Sequence, residues 1–407
     1  MPARGRVDRC GRGLALGLGL GLGLGLGFAL AAPDALAAQS VKVSVPLAAL
    51  EEAVRRDSLD PVAHYNVAMG YWSKRRLDEA AAELHRALEL DSQFAAAYLA
   101  LAMVPFARPD DYWRRLAKRH SAVDSLASES ERAYRRAFLI DPMVDLRMLA
   151  MTSRPYLLDL DDFRTFGLLY ADYRRARLQL HEGRYEQAFQ ALDGLTRKFK
   201  VDRSIDSVPA ALAWNHALAA MHSGRDSLAI RDLESLLGRE QRRAAGDSLQ
   251  WQPLAANEYR YVLACLRARV GDAAGAVGLL HAVLGEDVGH YMAQVQLARI
   301  YEARGAWPEA VAARRRAVET NPEDPSLRLE LGITLAASGD FATADSLLGE
   351  LAETHGRDFR VWYALGEVRL RRGRAAEGRA ALERFLAMAP GRLTEQIALV
   401  RRQLGGP

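Results

Sequence analysis

Cysteine is nearly missing from this sequence. The 407 residues contain two, Cys10 and Cys265, and Cys10 lies among the arginines at the start. A lone Cys265 in the rest of the chain cannot close an internal disulfide, so packing must hold the fold together. Its setting, RYVLACLRARV, is an apolar helical stretch with no neighbouring histidine, which suits a small core residue better than a catalytic thiol. Metal-ligand spacing is missing too. None of the nine histidines stands in H-E-x-x-H, and His216 and His222 fall six apart, on different faces of a helix. G-x-S-x-G and the phosphate-binding G-x-x-x-x-G-K-[ST] are absent. Aspartate pairs occur at Asp110–Asp111 and Asp161–Asp162, with no base or nucleophile near them in sequence, and read as helix and turn caps. These absences argue against an enzyme and against a bound metal or cofactor.

A strong net charge is missing as well. The chain carries +4, and residues 1–37 hold Arg4, Arg6, Arg9 and Arg12 against Asp8 and Asp34, so +2 remains for the rest. A near-balanced surface gives no global field for nucleic acid, and none is expected as a partner.

What is present begins with GLALGLGLGLGLGLGFALAAPDALAAQS at 13–40, an uncharged run from Gly13 to Pro33 behind the arginines. Alternating glycine packs nothing and weakens a strand. A basic start, an apolar middle and the small-x-small triplet Ala35-Leu36-Ala37 make a secretory signal peptide, residues 1–37. The rival reading is an uncleaved anchor with membrane association, since the run approaches the roughly 20 residues that span a bilayer. Export to the periplasm or cell envelope is the expectation.

Roughly 370 residues remain, more than one core usually holds, so the chain is multidomain or repetitive. It is repetitive. Gly305, Gly339 and Gly373 are 34 apart, as are Leu297, Leu331 and Leu365, and also Ala298, Gly332 and Gly366. Each unit reads as two amphipathic helices joined at the glycine, and Pro322 and Pro390 close their units.

A 34-residue helix-turn-helix unit with the pattern W-x2-L-G-x2-Y, then alanine, then proline, resembles the tetratricopeptide repeat. Trp362, Leu365 and Gly366 match its opening; Leu297, Ala298, Tyr301, Ala310, Ala317 and Pro322 match nearly all of one unit; Ala68, Tyr71, Ala80 and Ala87 match the first. The resemblance implies an all-α, right-handed solenoid of about eight helix pairs. The organisation is then a lead-in helix at 38–60; units over 61–142 with an insertion at 105–125; an unassigned stretch at 143–168; divergent units over 169–290; regular units over 291–392; and a capping helix at 393–407.

Stacked repeats make a concave groove, and the resemblance implies protein or peptide binding there without chemistry. The family's ligand-facing register falls on Tyr65, Met69, Trp72, Tyr170, Tyr173, Arg177, Trp214, Leu218, Met221, Tyr261, Arg299 and Tyr363. Aromatic and Met side chains offer large contact area to a peptide or helix, although rings at helical spacing also fill cores. The insertion adds Tyr112, Trp113, Arg114 and Arg115, and inserted loops often carry function. An adaptor or assembly factor of the envelope is the first reading; the alternative is a small-ligand or glycan receptor with an aromatic pocket beside the insertion. The leader reading has a direct check. N-terminal sequencing of the exported chain is expected to begin AQSVKVSV; an intact leader in the membrane fraction would establish the anchor instead.

Overall fold

The computed structural model describes residues 45–105, 130, 132–142, 167–181, 184–200, 208–246 and 254–405. The leader, the insertion residues Tyr112, Trp113, Arg114 and Arg115, and nearly all of the unassigned 143–168 stretch lie outside them. Among the described residues every regular element is helical. The lead-in helix is α1 (Leu47–Arg56), followed by α2 (Pro61–Ser73), α3 (Leu77–Leu90) and α4 (Ala95–Met103). Helix α5 covers 132–140. Next come α6 (Tyr170–His181), α7 (Tyr185–Phe199), α8 (Ala210–His222), α9 (Asp226–Gly246), α10 (Leu254–Arg269) and α11 (Ala273–Glu286). The last are α12 (Tyr291–Ala303), α13 (Trp307–Thr320), α14 (Pro325–Ala337), α15 (Phe341–Thr354), α16 (Phe359–Arg371), α17 (Ala375–Met388) and α18 (Thr394–Gln403).

Helices α2 and α3, and the successive helices from α6 to α17, form the first and second members of helix pairs; α3 also packs on α4, and from α7 to α15 each second member also packs on the first helix of the following pair. The all-α solenoid expected from the 34-residue period is what forms. Local chemistry starts and stops the helices. The carboxylates of Asp60, Asp324 and Asp358 accept from the first-turn amides of Val62, Ser326 and Arg360 at 3.0, 3.0 and 2.9 Å. Each satisfies a donor that the helix itself cannot. Pro61 and Pro325 occupy the first helical position, where a missing N–H costs nothing.

Within a pair the helices touch at a small residue. A Cβ on Gly332 would lie 2.7 Å from Leu348 Cδ2, and one on Gly366 would lie 2.7 Å from Leu382 and 3.2 Å from the Gly378 carbonyl. Alanine at 366 would therefore push helix from helix, which explains a glycine in mid-helix despite its poor propensity. The turn between the two helices uses a left-handed residue: Gly224, Gly271, Gly305, Gly339 and Gly373 all have positive φ. In the first pair Arg75 stands at that position with φ 62°, the only non-glycine with positive φ among the described residues.

The apolar faces gather into three clusters of buried residues, around Ala68–Val104, around Tyr170–Leu266 and around Tyr261–Leu327. Helix α5 belongs to all three. Ala137 and Ile140 sit with the first cluster, Phe138 packs on the second and Leu139 on the third. The N-terminal pairs are thereby folded back along the later ones.

The left-handed turn residue yields a test in opposite directions. An L side chain there costs roughly 1–2 kcal/mol. Arg75→Gly is expected to raise the unfolding free energy by about 1 kcal/mol, and Gly305→Ala to lower it by a similar amount, both read from urea denaturation.

Candidate functional site

The face formed by the first helices of the later pairs is where a groove was expected, and the chain's own helix α5 lies on it. Arg136 forms an ion pair with Asp324, donates to the Tyr291 hydroxyl and lies over the Tyr291 ring at 4.9 Å. Its guanidinium also faces the Tyr98 ring at 5.9 Å. Two residues on, the Phe138 ring meets Trp214 at 6.4 Å, and Trp214 meets Tyr259 at 5.5 Å. The Tyr261 hydroxyl donates to the Leu139 carbonyl at 2.6 Å. Between α4, α5 and α8, the side chains of Leu99, Tyr134, Phe138, Trp214 and Leu218 leave a cleft of only about 30 Å³.

Polar contacts at the ends of the helices continue this seam. Asp57 accepts from the Gly391 amide at 2.9 Å, and Arg392 donates to Asp60 at 3.0 Å. Arg360 reaches Asp91 at 3.2 Å, while Ser92 and Gln93 donate to Asp324 at 2.9 and 2.8 Å. The order is antiparallel: residues 57–60 meet 391–392, residue 91 meets 360, residues 92–93 meet 324, and 139 meets 261. Asp324 is 5% exposed and does two jobs, capping α14 and collecting donors from the N-terminal pairs.

Burial tunes the groups along the seam. Burial pushes the Tyr261 hydroxyl well above the usual tyrosine range, so it stays a donor. Burial would lower the Arg360 guanidinium, but the charges of Asp358 and Asp91 outweigh it and hold the cation more firmly than usual. Burial pushes the Cys265 thiol up to about 12, the opposite of what a nucleophilic cysteine needs. Among the described residues no group of three or more His, Cys, Asp and Glu side chains is arranged to hold a metal ion.

The register residues divide by environment. Trp72, Tyr170, Tyr173, Leu218, Met221, Tyr261 and Tyr363 are buried. Tyr363 packs on Phe385 at 5.2 Å, and Tyr173 has Arg177 over its ring at 5.6 Å. Tyr65, Met69, Arg177 and Trp214 are half-buried, and Tyr65 meets Phe94 at 5.2 Å; Arg299 is exposed. The structure thus brings Trp214, Leu218 and Tyr261 to one surface with α5 and leaves Trp72 and Tyr363 inside their own pairs. Arg136, Asp324, Asp91 and Arg360 were not legible as site residues. In sequence the aspartates are ordinary caps and the arginines ordinary helix-face charges; only the fold-back makes them partners.

Two tetratricopeptide-repeat family models match the sequence, one at residues 47–93 and 329–392 and the other at 292–334. The chain carries tetratricopeptide repeats. The matches fall on α1–α3 and on α12–α17 of this tetratricopeptide-repeat protein. Among solved structures it is similar to the C-terminal part of a tetratricopeptide-repeat-containing protein from Cytophaga hutchinsonii, at 15% identity and a TM-score of 0.44, covering 54% of this chain and 80% of that one. A thermophilic repeat protein of Thermus thermophilus is similar at 18% identity and a TM-score of 0.32, over 48% of this chain and 97% of that one. A repeat protein from Parabacteroides merdae is similar at 13% identity and a TM-score of 0.37, over 73% of this chain and 98% of that one. No curated protein matches the sequence.

The packing of Trp214 between Phe138 and Tyr259 makes it part of the core as well as of the surface. Trp214→Ala is expected to cost about 2 kcal/mol in urea unfolding, below the range for a fully buried ring because it is half-buried. Arg299→Ala, on the exposed face of α12, is expected to stay within about 0.5 kcal/mol of the parent.

Proposed function

We propose that this protein is an exported interaction scaffold of the cell envelope, which holds a helix or extended peptide of a protein partner on the first helices of its repeats. Tetratricopeptide repeats are protein-interaction scaffolds as a class, and that part needs no further argument. The observation that carries the finer reading is α5 on α8, α10 and α12: this face already holds a helix, through ring packing, a hydroxyl-to-backbone bond and an ion pair. Those are the means by which repeat grooves seat a helix. Export rests on the leader pattern alone. We infer no chemistry of its own.

A glycan or small-ligand receptor finds less support. The cleft beside α5, about 30 Å³, is far below the several hundred Å³ of a typical ligand pocket. A larger groove of about 360 Å³ between α15, α16 and α17 contains Trp362, but Arg384 already covers that ring at 4.4 Å, so it offers no bare platform for a sugar.

Site-specific photocrosslinking in cells tests the scaffold reading. A benzophenone side chain in place of Arg299, exposed on a first helix, is expected to trap one dominant protein, whereas the same group in place of Arg315, exposed on the second helix α13, is expected to trap little. Adducts from position 315 alone would place the working surface on the other side.

A further inference from the structure

The last helix, α18, has two unlike faces. Val400 is fully buried, and Leu393, Ile397 and Leu404 are half-buried, at steps of three and four residues that set them on one side. That side lies on the last pair, where Gln403 donates to Glu367 at 3.0 Å and Arg379 donates to the Leu404 carbonyl at 3.5 Å. Glu395, Ala398, Leu399 and Arg402 are exposed, and the same steps of three and four set them together on the opposite side. Capping the solenoid requires only the inner side, and a cap is ordinarily polar outside. Leu399 departs from that. It is 39% exposed, whereas the other exposed large aliphatic side chains among the described residues, Val45, Leu168, Val270 and Val288, lie outside the α-helices.

The charges on this outer side are arranged about Leu399. Glu395 and Arg402 stand two turns apart, about 10 Å along the axis, too far to pair with each other. Neither has an ion-pair partner among the described residues. Both suit the helix dipole, an acid in the first turn and a base in the last. The dipole, however, asks for no particular face, and here both share the face of Ala398 and Leu399. The midpoint between positions 395 and 402 falls between 398 and 399. A second α18 laid antiparallel about that midpoint therefore sets each Glu395 against Arg402 of the other copy. It also sets each Leu399 against the small Ala398 of the other copy. A parallel copy would oppose acid to acid and base to base. The face is thus complementary to itself under a two-fold axis, the requirement of an isologous dimer contact.

We propose that the outer face of α18 is a dimerisation surface, and that its occupant is α18 of a second copy of this chain. A helix of ten residues buries on the order of a few hundred Å² per copy, below the roughly 800 Å² per partner of a standard interface. The dimer is accordingly weak and sensitive to salt. Its consequence is two first-helix faces in one particle, which raises the effective concentration for any ligand with two binding segments.

Sedimentation velocity of the full chain as exported, over a concentration series at low and high salt, tests this. The parent is expected to show a reversible monomer–dimer equilibrium that weakens with salt. Glu395→Arg and Arg402→Glu are each expected to weaken self-association at least tenfold, since each sets like charges across the axis. Mixing the two variants is expected to restore dimers to parental strength, because an all-basic face then meets an all-acidic one. Two variants that had merely lost the helix would not rescue each other. Leu399→Asp is expected to remove the dimer with little change in the circular-dichroism melt. Should a charge variant melt early, Glu395→Gln/Arg402→Gln keeps the side-chain lengths and is expected to abolish the salt dependence. A parent that stays monomeric at every concentration, dimers that survive these changes, folded variants that fail to rescue each other, or growth beyond a dimer overturns the proposal.

Discussion

Everything in this structure depends on two helices approaching closely enough to bury a shared face. The approach is set by single small residues: Gly332 beneath Leu348 and Gly366 beneath Leu382 leave no room for a methyl group. Alanines fill the equivalent sites elsewhere, with Ala68, Ala217, Ala264 and Ala298 all buried. A pair packed this way still exposes one apolar side, so it must stack on a neighbour. The solenoid is the propagation of that unmet burial, and the left-handed glycine turn between the helices keeps each pair in step with the last.

The same unmet burial, with charge added, explains the fold-back. The N-terminal pairs could have continued the stack; instead α5 offers one face to its own pair and the other to the first helices of later pairs. Asp324 is the pivot. It caps α14, accepts from Ser92 and Gln93, and pairs with Arg136, so its near-complete burial leaves the carboxylate well supplied with donors. A buried carboxylate is tolerated only when so supplied. Removing the charge from Arg136 would leave Asp324 with neutral donors alone, which is why the two arms of the chain are coupled through this one residue.

Other buried charges follow the same rule without reaching across the chain. Arg314, nearly fully buried, is held by Glu302 at 2.9 Å and Glu330 at 3.2 Å, knitting α13 to α12 and α14. Burial would raise the Glu302 carboxyl, and the charge and hydrogen bonds of Arg314 outweigh it. Burial would likewise raise Asp345, and hydrogen bonds from Arg369, Arg374 and Arg372 hold it below the ordinary carboxylate range. Arg369, Arg372 and Arg374 are thus engaged in holding Asp345 between α15 and α16.

The sequence by itself determined the repeat. The 34-residue spacing of Gly305, Gly339 and Gly373, the small residues at 298, 332 and 366 and the cap-and-proline starts at Asp60-Pro61 and Asp324-Pro325 are local requirements of a helix pair, and local requirements are written in neighbouring residues. The register of the first helices was legible for the same reason, since 3.6-residue periodicity fixes which side chains share a face. What occupies that face was not. Whether Trp214 and Tyr261 meet water, a partner or the chain itself depends on the small rotation between successive pairs, summed over many of them. That sum brings residue 139 to residue 261 and residue 91 to residue 360. No single unit records it, so the closing of the N-terminal pairs on the later ones was decided only by the tertiary structure.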